Sequence, residues 1–266
     1  MLIDRARHLG WNRPQPHQAI RALLRAHPLS AASLPSAAPS SDNSALCCDL
    51  DQGQLGSCTA NGWAQALYME LMREGQAAFI PSRLANYWWN RNRDGNAAED
   101  VGASVGGAFE VGADLGIPEE AAWPYEVARV ADCPTPDVYR NAYDRKGLVR
   151  TNYFPLDCTA DIMIETIERV LTSGRGIAFG CQVSEAFCST LPSGIVQAPG
   201  PDDMIAGGHC MVVVGHNRDE QWFLVKNSWG EWGEPGQPPG CFRMAYSYME
   251  LASDLWFVSL STGGLR

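Results

Sequence analysis

Cys58 closes the run Gln52-Gly53-Gln54-Leu55-Gly56-Ser57, His209 follows Gly207-Gly208, and Asn227 opens Asn227-Ser228-Trp229-Gly230. These segments supply a thiol, an imidazole, an amide able to orient the imidazole, and a second amide beside the thiol. Together they are the parts of a cysteine nucleophile, spaced so that only folding brings them together. A thiol at the start of a helix faces free N–H groups and the positive end of the macrodipole, which favours the thiolate. Gly53 and Gly56 permit a tight turn that would leave the sulfur exposed. Gln52 and the Cys58 backbone N–H suit an oxyanion, because an amide donates without titrating. Singly, these residues also fit plainer roles: a cysteine as a small buried hydrophobe, a glutamine on a solvated turn.

The elements that would position these groups follow from periodicity. Ala60, Ala64, Leu67 and Leu71 form a buried stripe after Cys58, with Ser57 at the N-cap and Gly75 past the C-terminus. Further helices are expected over Ser82–Asn92, Ser104–Leu115 (closed by Gly116) and Thr159–Thr172. Beyond about residue 175 the pattern turns to strands: Ile177–Val183, Cys210–Val214, Trp222–Lys226, Cys241–Ala245 and Leu255–Leu260. His209 would then sit at a strand end, with His216 as a turn residue at the other end. If the strands at 210–214 and 222–226 pair, Asn227 could accept from the His209 ring and Trp229 could shield that bond. A helical half (about 45–145) followed by a strand-rich half (about 146–266) predicts an α+β fold of two lobes.

The bulk properties bound the remaining alternatives. The chain has 266 residues, 45% hydrophobic and 19% charged, with a formal net charge of −10. That is an ordinary globular composition, poorly suited to nucleic acid or an anionic membrane. The longest obvious apolar run, Met211 to Val214, is strand-sized, so no membrane span is expected. The first residues mix charges and lack the apolar stretch of a secretory signal, while nine cysteines are many for a reducing cytosol. Secreted and cytoplasmic locations both stay open, as do one reactive thiol with up to four bridges or nine free thiols. Zinc is disfavoured: there is no Cys-x-x-Cys, and His209 and Cys210 would point to opposite sides of a strand. No cofactor is called for. Residues 1–33 read as a lead-in with an amphipathic stretch at 18–25, joined to the body by a Ser/Ala/Pro-rich linker over 29–44. The lead-in is either a tail or a regulatory segment lying along an active cleft.

In that order and at those separations, Gln52-Gly-x-x-Gly-Ser-Cys58, Gly208-His209 and Asn227-Ser-Trp229-Gly-x-Trp-Gly233 resemble the active-site segments of papain-like cysteine peptidases. The match Gly116-Ile117 … Trp123-Pro124-Tyr125 and the Gly240–Met244 strand extend the resemblance over roughly residues 34–256. The Leu-Gly-Ser-Cys-Thr-Ala run is similar to bacterial members. The resemblance implies a two-lobed fold with a cleft, Cys58 as nucleophile, His209 as base and acid, Asn227 as its orienting group, and Gln52 in the oxyanion hole. It implies peptide or protein substrates, bound in part by Gly102, Ala103, Gly208 and Trp229. Two departures stand out. Leu55 replaces a bridging cysteine, and Thr59 replaces the tryptophan after the nucleophile. Two rivals use or ignore the same groups: an acyl transferase with an amine acceptor, and a catalytically silent binding protein.

Overall fold

In a computed structural model the described residues are 9–19, the backbone of 27–28, 34–153 and 160–261. Helix α1 (Cys58–Arg73) forms over the predicted stripe, and Ala60, Ala64, Leu67 and Leu71 are fully buried. Its end follows the glycine rule: Gly75 takes φ +63°, its N–H donates to Met72 O and that of Gln76 to Leu71 O. Helices α2 (Arg83–Arg93) and α3 (Val105–Leu115) begin at side-chain caps, Ser82 accepting from Ala85 N and Ser104 from Gly107 N. Ser57 does not cap α1; its hydroxyl is bonded to the Tyr125 hydroxyl instead. The remaining helices are α4 (Pro136–Tyr143), α5 (Ala160–Thr172) and the short α6 (Glu185–Ser189).

The strands are β1 (His27–Pro28), β2 (Ser40–Asp42), β3 (Val149–Tyr153), β4 (Ile177–Ser184), β5 (Ile205–Asn217), β6 (Trp222–Lys226), β7 (Cys241–Ala245) and β8 (Ser253–Leu260). They form one sheet in the order β1-β3-β8-β4-β5-β6-β7, with β2 paired to β5 and only β1–β3 parallel. The β6 and β7 boundaries match expectation, but β5 is far longer than Cys210–Val214. His209 therefore lies inside the strand rather than at its end. His216 is no turn residue either: it is buried, its ring held by Ser41 Oγ at 2.8 Å and Ala38 O at 3.0 Å. The expected stretch at 18–25 falls largely outside the described residues, as does the predicted start of α5.

Alternation along β5 assigns its side chains to two cores. Cys210, Val212 and Val214 pack with Trp63, Leu67 and Leu71 of α1 and Phe109 of α3. Met211 and Val213 face Ile167, Val170 and Leu171 of α5 together with Phe223, Phe242 and Trp229. Gly62 sets the approach of α1 to β5, since a Cβ there would stand 2.7 Å from Cys210 Sγ. The described part of the segment read as a linker, 34–44, is docked: Arg169 donates to Leu34 O and Pro35 O, and Asn43 Nδ2 to Leu171 O.

One buried charge ties α1 to the sheet. Glu70, 1% exposed, is bonded by Arg73 through two contacts of 2.8 Å, approached by Arg175 at 3.3 Å, and accepts from the Leu260 N–H at 2.9 Å. Truncating one partner of such a group strands the others, at a cost of about 3 kcal/mol. Glu70→Ala is expected to lower the unfolding free energy by about that amount in urea titration, with m unchanged.

Candidate active site

The site lies where the N-terminus of α1 meets the middle of β5. Cys58 is the first residue of α1. The backbone N–H groups of Cys210 and Gly10 reach its sulfur, so the thiol contacts the strand residue that follows His209. The ring of His209 is fixed from two directions. Nε2 lies 2.8 Å from Asn227 Oδ1, and Trp229 stacks on it with centroids 4.6 Å apart and planes 25° apart. Pairing of β5 with β6 makes this possible, because Val212 is opposite Lys226 and Asn227 continues β6. All three side chains are buried. Trp229 thus shields the imidazole–amide bond, and its edge is backed by Trp232 and Phe187.

Gln52 belongs to the same assembly through a residue that sequence reasoning missed. Ser228 Oγ donates to Gln52 Oε1 at 2.6 Å, and Gln52 N donates to Ser228 O at 2.9 Å. That fixes which face of the amide carries its N–H groups, one of which donates to Leu55 O at 2.8 Å. Tyr125 was also missed as a contributor: its hydroxyl donates to Gln52 O at 2.9 Å and meets Ser57, the residue before the thiol. Ser228 is signalled in the sequence by its place beside Asn227, and Tyr125 by the Trp123-Pro124-Tyr125 motif alone.

The lead-in enters here. Ala103 N donates to Gly10 O (2.8 Å), Asn12 N to Ala103 O (2.9 Å) and Trp11 N to Gly208 O (3.0 Å). Trp11 thereby bridges Ala103 in parallel and joins β5 on its other side. A Cβ on Gly102 would stand 2.2 Å from Gly10 O, and one on Gly10 1.8 Å from Gly56 O. Gly102, Ala103 and Gly208, the expected peptide contacts, all touch this segment, whereas Trp229 lies beneath the imidazole. The expectation of an exposed sulfur fails for the same reason: with Gly10 over it, Cys58 is fully buried. Burial pushes its thiol up to about 12, outweighing the lowering by the N–H groups of Cys210, Gly10, Thr59 and Cys58 itself.

Among the described residues, no three His, Cys, Asp or Glu side chains are grouped to hold a metal, and no helix is long and apolar enough to cross a membrane. The eight described cysteines are free thiols.

This geometry, a thiol at the start of α1 beside the strand that carries a histidine held by an amide, agrees with comparison to known proteins. The family model described as papain family cysteine protease matches residues 41–250. An uncharacterized peptidase C1-like protein of Acanthamoeba polyphaga mimivirus is 36% identical over 218 residues, 79% of this chain and 69% of that protein. The chain belongs to the papain family of cysteine proteases, with the α+β fold of that family, and is a cysteine-type peptidase. Among solved structures, xylellain, a cysteine protease from Xylella fastidiosa, superposes with a TM-score of 0.80 at 27% identity over 97% of both chains. Digestive procathepsin L 3 of Tenebrio molitor larval midgut shares the fold with a TM-score of 0.68 at 19% identity, covering 96% of this chain and 77% of that one.

Proposed function

We propose that the chain hydrolyses peptide bonds through a Cys58–His209 thiolate–imidazolium pair and an acyl-enzyme. The Cys58 sulfur attacks the carbonyl carbon, and the oxyanion takes N–H donors from Gln52 and the Cys58 backbone. The C–N bond breaks as His209 delivers its proton to the leaving amine. His209 then takes a proton from water, whose oxygen attacks the thioester. The C–S bond breaks and the sulfur leaves as thiolate. Asn227 holds the ring so that Nδ1 is the nitrogen presented to the thiol. The observation that carries this reading is the His209 ring clamped between Asn227 and Trp229, one residue from the amide that meets the sulfur.

The working domain spans 34–266, helical over about 45–145 and strand-rich over about 146–266, and residues 1–33 restrain it. Segment 9–12 lying across Ala103, Gly208 and Cys58 supports that restraint, as does likeness to a procathepsin. Similarity to xylellain favours a bacterial-type member.

Gln52 provides the test of the oxyanion arrangement. Gln52→Ala is expected to reduce kcat about 10²-fold to 10³-fold with little change in KM, because its donor acts on charge that develops only in the transition state. Steady-state kinetics on a fluorogenic peptide decide it. A kcat within about threefold of the unmodified chain would assign the oxyanion to other donors.

A further inference from the structure

Segment 9–12 binds as an added strand, by backbone hydrogen bonds that any peptide could make; selection in such a mode comes from side-chain pockets. Only one side chain of the segment is deeply sunk. Trp11, 5% exposed, enters a slot between β4, β5 and the start of α3. Two glycines flatten that slot. A Cβ on Gly180 would stand 2.1 Å from Trp11 Cε2, and one on Gly208 2.8 Å from Trp11 Cε3. At its floor Trp11 Nε1 donates to Asp254 Oδ2 at 3.3 Å.

Asp254 is a built acceptor. It is 7% exposed and takes Val105 N at 2.7 Å, Gly106 N at 3.0 Å and Trp256 Nε1 at 2.6 Å. Its backbone lies at φ +57°, a region that aspartate tolerates better than most residues but at some strain. Three protein N–H groups thus hold and partly neutralise the carboxylate, and the fourth comes from the occupant of the slot. A flat apolar crevice ending in a buried acceptor that is largely compensated fits a neutral bicyclic ring with one N–H, not an extended cation. We infer that Gly180, Gly208 and Asp254 form a specificity pocket for tryptophan, so that the enzyme cleaves peptides whose tryptophan side chain takes the place of Trp11. This rests on the peptidase reading of the same site and adds the substrate class to it.

The test is a positional-scanning peptide library hydrolysed by the full chain carrying Trp11→Ala and, separately, Gly180→Ala. With Trp11→Ala, tryptophan should exceed phenylalanine about tenfold or more at one position near the scissile bond, because phenylalanine leaves the buried carboxylate without its fourth donor. Gly180→Ala puts a methyl group where the indole lies. It should abolish that preference while peptides with small side chains are still cleaved. A flat profile, a preference for arginine or lysine, or a tryptophan preference that survives Gly180→Ala would each overturn the inference while leaving the peptidase reading intact. If neither variant nor the unmodified chain cleaved any peptide, the peptidase reading would fall and take the pocket with it.

Discussion

Replacing Cys58 by alanine is expected to abolish peptide hydrolysis, with kcat/KM falling by about 10⁴-fold or more. The size of the effect follows from chemistry, since the proposed acyl intermediate forms on the sulfur at the start of α1. Cys181 and Cys210 lie inside β4 and β5, where no helix N-terminus favours a thiolate. Cys58→Ser should be nearly as damaging, because a hydroxyl beside an imidazole–amide pair lacks the low-pKa thiolate for which the site is arranged. The substitution is a mild one for the fold: it removes one sulfur from a site already lined by Gly10 and Gly56. Circular dichroism and denaturant midpoints should therefore match the unmodified chain while turnover disappears. An alanine variant retaining activity within about tenfold of the original would move the nucleophile elsewhere.

The parts of this site differ in how legible they are in the sequence. The α1 stripe is readable because Ala60, Ala64, Leu67 and Leu71 repeat at helical spacing, and Gly75 marks the only conformation that closes the helix cheaply. The β6 and β7 starts are readable because the polar turn 217–221 precedes the apolar stretch of β6 and the Gly/Pro-rich run 233–240 precedes that of β7. The pairing of β5 with β6 then brings His209 to Asn227 as the spacing allowed.

What escapes is tertiary. Gly207-Gly208 reads locally as a strand breaker, yet β5 runs through both. The glycines are there because Leu9 and Trp11 pack on them: Cβ atoms would stand 3.1 Å from Leu9 Cδ1 and 2.2 Å from Trp11 O. His216 looks like a turn residue only until its ring meets Ser41 and Ala38, which come from the far end of the chain. Asp254 gives no local signal, because its partners at Val105 and Gly106 are about 150 residues away in sequence. Short elements such as α4 and β3 carry too few residues to establish a period.

Trp11→Ala is expected to raise the turnover of the full chain about 100-fold, and this follows from the way segment 9–12 is anchored. Its three backbone hydrogen bonds are each worth about 1 kcal/mol net against water, whereas the buried indole contributes about 3 kcal/mol or more. Losing the larger share shifts the closed–open balance by two decades or so, since about 1.4 kcal/mol corresponds to a factor of ten. Iodoacetamide labelling of Cys58 at neutral pH should rise in parallel, because the closed form keeps the thiol covered and its pKa pushed up to about 12. The closed form favours the protonated sulfur, so closure is fully supported below the pKa of the released thiol. It weakens as pH rises from there toward about 12. Labelling of the unmodified chain should therefore accelerate with pH across that window, while Trp11→Ala labels fast at the start and gains less. Turnover and labelling that stay unchanged in a folded Trp11→Ala protein would mean that the segment leaves the cleft without help, and that residues 1–33 exert no restraint.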